Sequence, residues 1–281
     1  MTTSRFFLFL ASALIALETS RTLAAVGPTS ILYVTNYGEF GGGTTTGLDL
    51  IQGVNEASFP TGYPLGIDIA VSGDVRTMGY SDTNQGGQFG LAGNLLGGGP
   101  YTNNIVNSQL HDGTSDGNFN YSVNYTTGEV LQFDRNWASP VTLFNAGGSL
   151  PQAGWITMNA IDGSFWISEW GGPDAVAHYT HGGTLLSTFN SGVLGSVGLA
   201  LDPVDGTLWM GDNTFTLHQF SQAGVPLQSL AYTLQGSWYG MEFNTTPAPE
   251  PSSLVLAAIG LAGLAMWRRG RRRGWGFGIR D

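Results

Sequence analysis

Residues 155–166 and 198–209 carry the same pattern at a constant offset of 43 positions. Trp155-Ile156-Thr157-Met158-Asn159-Ala160-Ile161-Asp162-Gly163-Ser164-Phe165-Trp166 matches Gly198-Leu199-Ala200-Leu201-Asp202-Pro203-Val204-Asp205-Gly206-Thr207-Leu208-Trp209. Each copy reads strand, Asp-Gly turn, strand, which is a hairpin signature. The turn glycine recurs at Gly73, Gly117, Gly163 and Gly206, with spacings of 44, 46 and 43. An aromatic residue follows each one: Phe89, Phe133 and Tyr179 after 16 residues, and Phe220 after 14. Ile31–Asn36 is a further copy without its first strand. Gly240-Met241-Glu242-Phe243-Asn244 is a first strand without its successor.

Units of about 40–45 residues with four short strands each are the blades of a β-propeller. The fold class is therefore all-β. Residues 26–246 span 221 positions, enough for about five blades of about 44 residues. Six blades are the alternative if residues 83–107 hold an irregular one; a β-solenoid or a sandwich is the alternative architecture. Pairing of the C-terminal strand, 240–244, with the first blade would close the ring and remove its open edges. Trp166 and Trp209 occupy equivalent strands and read as core between blades.

The wording of the repeats adds a resemblance. Leu32-Tyr33-Val34-Thr35-Asn36 is similar to the repeat that names the YVTN propellers. Asp162-Gly163-Ser164-Phe165-Trp166-Ile167-Ser168-Glu169-Trp170-Gly171 resembles the repeat of streptogramin lyase-type propellers, which are close in shape to NHL and gluconolactonase-like propellers. These words cover about 15 residues per blade. They imply a fold, because propellers host binding proteins and enzymes alike.

Charge removes one class of partner. The chain has no lysine, and residues 26–246 hold two arginines, Arg76 and Arg135, against 17 acidic residues, a net charge of −15. Such a body repels a phosphate backbone, so nucleic acid is excluded as a partner. The absence of cysteine excludes disulfides and thiolate metal sites.

The two ends read as addresses. Arg5, the apolar stretch Phe6–Leu17 and the small pair Ala24-Ala25 form a signal peptide over residues 1–25. At the other end, a Pro-rich segment (247–253) carries Pro249, Glu250 and Pro251. An apolar segment (254–267) follows, then a basic tail (268–281) with Arg268, Arg269, Arg271, Arg272 and Arg273. The apolar segment reads as a short transmembrane helix, and the arginines would stay cytoplasmic by the positive-inside rule. In this order the three parts resemble the PEP-CTERM sorting signal of Gram-negative bacteria; a generic anchor is the plainer reading. The resemblance implies processing by a membrane-embedded exosortase after transient anchoring in the inner membrane. It also implies delivery to the cell envelope, the outer surface or the extracellular matrix of a biofilm, where polysaccharide is a partner.

Candidate site residues follow from strand alternation. Leu32, Val75, Phe119, Phe165 and Leu208 occupy one equivalent position in the second strand of each blade. Four residues later on the same face come Asn36, Gly79, Val123, Glu169 and Asp212. Asn36, Glu169 and Asp212 carry oxygen donors suited to Ca²⁺ or Mg²⁺ if they converge on the channel; capping of strand ends is the alternative role. Trp170 and Trp238 flank turns and offer flat rings to a sugar, or pack over a blade edge. His111, His178, His181 and His218 show no metal-binding spacing. No catalytic constellation is visible, and catalytic residues are assigned to none. Two functions stay open. One is an exported, noncatalytic binding or structural module; the other is an exported divalent-metal-dependent enzyme of lactonase or lyase type.

Overall fold

The computed structural model describes residues 31–37, 43–49, 54–60, 66–79, 85–96, 101–102, 110–170, 174–232 and 237–245. The predicted signal peptide, Pro-rich segment, transmembrane helix and basic tail lie outside the described residues. The chain divides into two compact units, Met1–Thr246 and Pro247–Asp281. Among the described residues no helix is long and apolar enough to cross a membrane.

Alternating short strands and Gly-containing turns give five four-stranded antiparallel sheets. The first contains β1 (Ile31–Tyr37), β2 (Gly43–Asp49) and β3 (Val54–Pro60). The second contains β4 (Gly66–Val71), β5 (Val75–Gly79), β6 (Gln85–Phe89) and β7 (Tyr101–Thr102). The third runs β8 (Leu110–Ser115), β9 (Phe119–Asn124), β10 (Glu129–Asp134) and β11 (Val141–Asn145). The fourth runs β12 (Ala153–Asn159), β13 (Ser164–Glu169), β14 (Ala175–Tyr179) and β15 (Leu185–Asn190). The fifth runs β16 (Ser196–Leu201), β17 (Leu208–Asp212), β18 (Thr216–Phe220) and β19 (Pro226–Ala231). The last strand, β20 (Ser237–Phe243), returns to pair with β1 and makes the first sheet four-stranded. It starts three residues before the predicted closing strand, because Trp238 and Ser237 also pair, with Asn36 and Tyr37.

The first strands of successive sheets touch in a closed circuit, β4 to β8 to β12 to β16 to β20 and back to β4. This is a β-propeller arrangement with an inner ring of strands around one axis. The turn glycines at 73, 117, 163 and 206 all have φ between 72° and 90°, a left-handed conformation that costs glycine least. One sheet departs from the predicted register. Asp116 accepts the amides of Asn118 and Phe119, so Phe119 sits at the turn end of β9 opposite Asp134, and Asn120 takes its place opposite Phe133. A one-residue slip turns a side chain to the other face, and Phe119 is accordingly exposed.

The core lies between sheets. Trp166 and Trp155 pack with Leu199 and Leu208 of the next sheet, and Trp209 packs with Leu32, Val34 and Met241. Full burial of such side chains contributes about 1.5–3 kcal/mol each. The two body arginines are engaged at one inter-sheet point. Arg76 pairs with Asp74 at 3.0 Å and donates to the Arg135 carbonyl at 2.8 Å, while Arg135 reaches from the third sheet to Asp74.

Candidate ligand site at the mouth of the axis

Every inner strand has a register shift near its start. The shifts fall between Gly66 and Asp68, Leu110 and Gly113, Ala153 and Trp155, and Ser196 and Leu199; in β20 the shift lies opposite Val34–Asn36. Such bulges disrupt the ladder locally and leave main-chain groups that need other partners. Asp112, in β8, supplies one acceptor for three strands. Its Oδ2 accepts the amides of Ile156 and Leu199, both at 3.2 Å. Its Oδ1 accepts those of Met241 at 3.0 Å and Gly113 at 2.9 Å. Glu242 lies close enough for its charge to act on Asp112. The Thr157 hydroxyl is 3.1 and 3.2 Å from its two oxygens and accepts the Leu201 amide at 3.0 Å, while the Phe243 amide donates to Glu242 at 3.0 Å.

Both carboxyls are fully buried. Burial raises Glu242 well above its ordinary value, against the opposing hydrogen bonds of Thr114, Phe243 and Thr157. Burial and then the Glu242 charge raise Asp112, against the amides of Leu199, Met241 and Gly113. These partners of both carboxyls are donors: main-chain amides on Asp112, and the Thr157 hydroxyl with the Phe243 amide on Glu242.

Beside Asp112, the buried His111 ring sits among four aromatic side chains: Trp155 of β12, Tyr239 of β20, and Tyr125 and Trp170, which directly follow β9 and β13. Its ring centre is 4.7 Å from Tyr125, 5.7 Å from Trp155, 5.8 Å from Tyr239 and 5.9 Å from Trp170. Trp170 also meets Tyr125 edge-on at 5.5 Å. Burial lowers the His111 pKa to about 4, so the imidazole is neutral at physiological pH. Trp155 is fully buried, Tyr125 and Tyr239 are half-buried, and Trp170 is 39% exposed. The result is an aromatic floor with one open indole. It suits the apolar face of a ring-shaped polar ligand.

The predicted metal residues share one level of the fold. Asn36, Glu169 and Asp212 each pair with an inner strand immediately before its register shift, together with Gly79 and, in the third sheet, Asn124 rather than Val123. They stand on the second strand of each sheet, one strand away from the axis. Asp212 Oδ1 accepts the amides of Thr214 and Thr216 and the Thr214 hydroxyl, and Oδ2 meets His218 Nε2 at 3.0 Å. His218 in turn meets Ser229 at 3.0 Å, along a surface groove of about 450 Å³. The side chain of Asn36 lies outside the described residues. Among the described residues no three His, Asp or Glu side chains gather closely enough to hold a metal. Among the described residues at the axis, the carboxyls of Asp112 and Glu242 are already bonded to main chain and threonine.

Of the two predicted sugar-contacting rings, Trp170 is at the mouth. Trp238 is 1% exposed and packs against Phe215 and Tyr232 at 5.4 and 6.2 Å, so it has no face for a ligand. Its neighbour Tyr239 reaches His111 instead. His111, Asp112 and Tyr125 were missed in sequence reasoning. The available signal is positional: Gly113, Ile156, Leu199 and Met241 stand at equivalent inner-strand positions, and Asp112 directly precedes the first of them, where other sheets carry Trp155, Gly198 and Gly240.

A family model for the PEP-CTERM protein-sorting motif matches residues 247–273. The chain carries a PEP-CTERM sorting motif. Pro249, Glu250, Pro251 and the arginines 268, 269, 271, 272 and 273 fall within that match. No curated protein matches the PEP-CTERM-bearing chain in sequence. Among solved structures it is similar to a chain of a nidogen/laminin complex, at 13% identity and a TM-score of 0.52, over 78% of this chain and 100% of that one. It is also similar to a protein of unknown function from Bacteroides thetaiotaomicron, at 13% identity and a TM-score of 0.52, over 79% and 63% of the two chains. At these identities the likeness concerns the fold alone.

Proposed function

We propose that this protein is an exported propeller, its five sheets acting as five blades, that serves as a noncatalytic binding module. The PEP-CTERM motif supports processing by an exosortase and delivery to the cell envelope or outer surface, with the apolar segment 254–267 as a transient inner-membrane anchor. Matrix polysaccharide is the ligand class that suits the aromatic mouth and the strongly acidic, lysine-free body. The observation that carries the reading is the half-exposed Trp170 ring, braced by His111 and Tyr125 over an axis whose carboxyls are already bonded.

The test is glycan-array and calorimetric binding by the full-length chain. Trp170→Ala is expected to weaken carbohydrate binding roughly tenfold, about 1.4 kcal/mol. Phe119→Ala removes an exposed ring elsewhere and should leave binding unchanged. Equal binding by wild type and Trp170→Ala, or binding to no glycan, would overturn the proposal.

A further inference from the structure

A second pair of buried acids differs from the one on the axis. Glu169 ends β13, and Asp174 immediately precedes β14. Their relative exposures are 4% and 1%. Glu169 Oε2 and both carboxylate oxygens of Asp174 have no hydrogen-bond partner. The main chain carrying them is nevertheless pinned. Ser196 donates its hydroxyl to the Glu169 carbonyl at 2.7 Å, and Ser191 donates its amide and hydroxyl to the Asp174 carbonyl at 3.1 and 2.9 Å. Asp174 is held at φ +54°, a conformation uncommon outside glycine that persists where the surroundings impose it. The two carboxyls are also electrostatic neighbours: burial and then the Glu169 charge raise the pKa of Asp174.

Buried carboxylates need donors or a counter-charge. Neither lysine nor arginine of the body supplies that counter-charge, because it has no lysine and both of its arginines are committed at Asp74. We infer that Glu169 and Asp174 form a divalent-cation site, with Ca²⁺ as the ion that suits three open carboxylate oxygens. A calcium ion takes about six to eight oxygen ligands at flexible geometry, so two acids make a partial set and a site of modest affinity. The site uses Glu169 with a partner five residues away, in place of Asn36 and Asp212. It stands independently of any ligand at the aromatic mouth.

Terbium(III) is a probe for such a site, because the indole of Trp170, next to Glu169, can sensitise its emission. The full-length chain would be titrated with Tb³⁺ at an ionic strength of about 0.15 M, which screens diffuse attraction to the acidic surface. The expected result is saturation at one ion per chain, reversal by Ca²⁺, and an unfolding temperature that rises with Ca²⁺. Asp174→Asn and Glu169→Gln should each weaken the ion roughly tenfold or more, since affinity follows ligand charge. Glu129→Gln, on an outer strand, should not. Far-UV circular dichroism checks that the isosteric variants are folded; if either is not, the wild-type titration and its Ca²⁺ reversal decide. Absence of saturation, or unchanged affinity in both folded variants, would overturn the site and leave a pair that shares a proton.

Discussion

Asp112 and Glu242 on the axis, and Glu169 and Asp174 where β13 ends and β14 begins, are pairs of acids buried to a similar depth. They differ in their donors. Asp112 receives four main-chain amides, three of them from other sheets, whereas Asp174 receives none on its carboxylate. Burial raises carboxyl pKa values in both pairs. Burial therefore does not separate a structural acid from a candidate ligand; the count of hydrogen bonds does.

The comparison can be broken most directly at Asp112. Asp112→Ala would leave the Ile156, Leu199 and Met241 amides without an acceptor, and each unsatisfied buried group costs about 1–3 kcal/mol. A loss of about 4 kcal/mol is expected from urea unfolding. A loss below about 1 kcal/mol would mean that the axis is held by its strands and not by the carboxylate.

Acid probes the mouth of the same axis. In the unfolded chain the His111 imidazole takes its proton near 6.5, but in the folded protein burial delays this to about 4. Between these values the unfolded state binds more protons, so stability is lost as pH falls. The expected loss is about 3 kcal/mol, and His111→Phe should abolish this part of the pH profile. Equal acid sensitivity in the variant would show that the imidazole already charges within the aromatic box.

Glu242 gives the smallest effect and the opposite sign. Its folded pKa is raised, so the native state keeps a proton that the unfolded chain releases above about 4.5. Stability then declines as pH rises from that point towards the raised value. Glu242→Gln mimics the protonated acid; it should change stability near pH 5 by less than about 1 kcal/mol and flatten the decline above it. An unaltered slope would place the proton elsewhere on the axis.

The repeat made the scaffold legible. Gly73, Gly117, Gly163 and Gly206 all mark left-handed turn positions, and Phe89, Phe133, Tyr179 and Phe220 are all buried in third strands. The level shared by Asn36, Glu169 and Asp212 was legible as well, because it too is periodic. What that level faces was not. Side-chain partners come from individual loops, such as the Thr214–Thr216 turn that engages Asp212 and the position of Asp174 beyond Glu169. The axis escaped for the opposite reason. Asp112 lines up with Trp155, Gly198 and Gly240, and Glu242 with Thr114, Thr157 and Ala200. Neither column repeats one residue type, so a search for similarity passes over the residues that join the strands.

The pairing of β20 with β1 also has a consequence in time. The Thr35 hydroxyl and the Gly240 main chain bond across 205 residues of sequence. During synthesis β1 emerges among the first folded segments, yet one of its edges stays unpaired until almost the whole body has followed. Contacts at such separation close slowly and leave the edge open to other strands meanwhile. Residues 237–243 therefore act as a latch that arrives last, directly ahead of the motif at 247–273. A body that lacked only these residues would carry an unsealed ring.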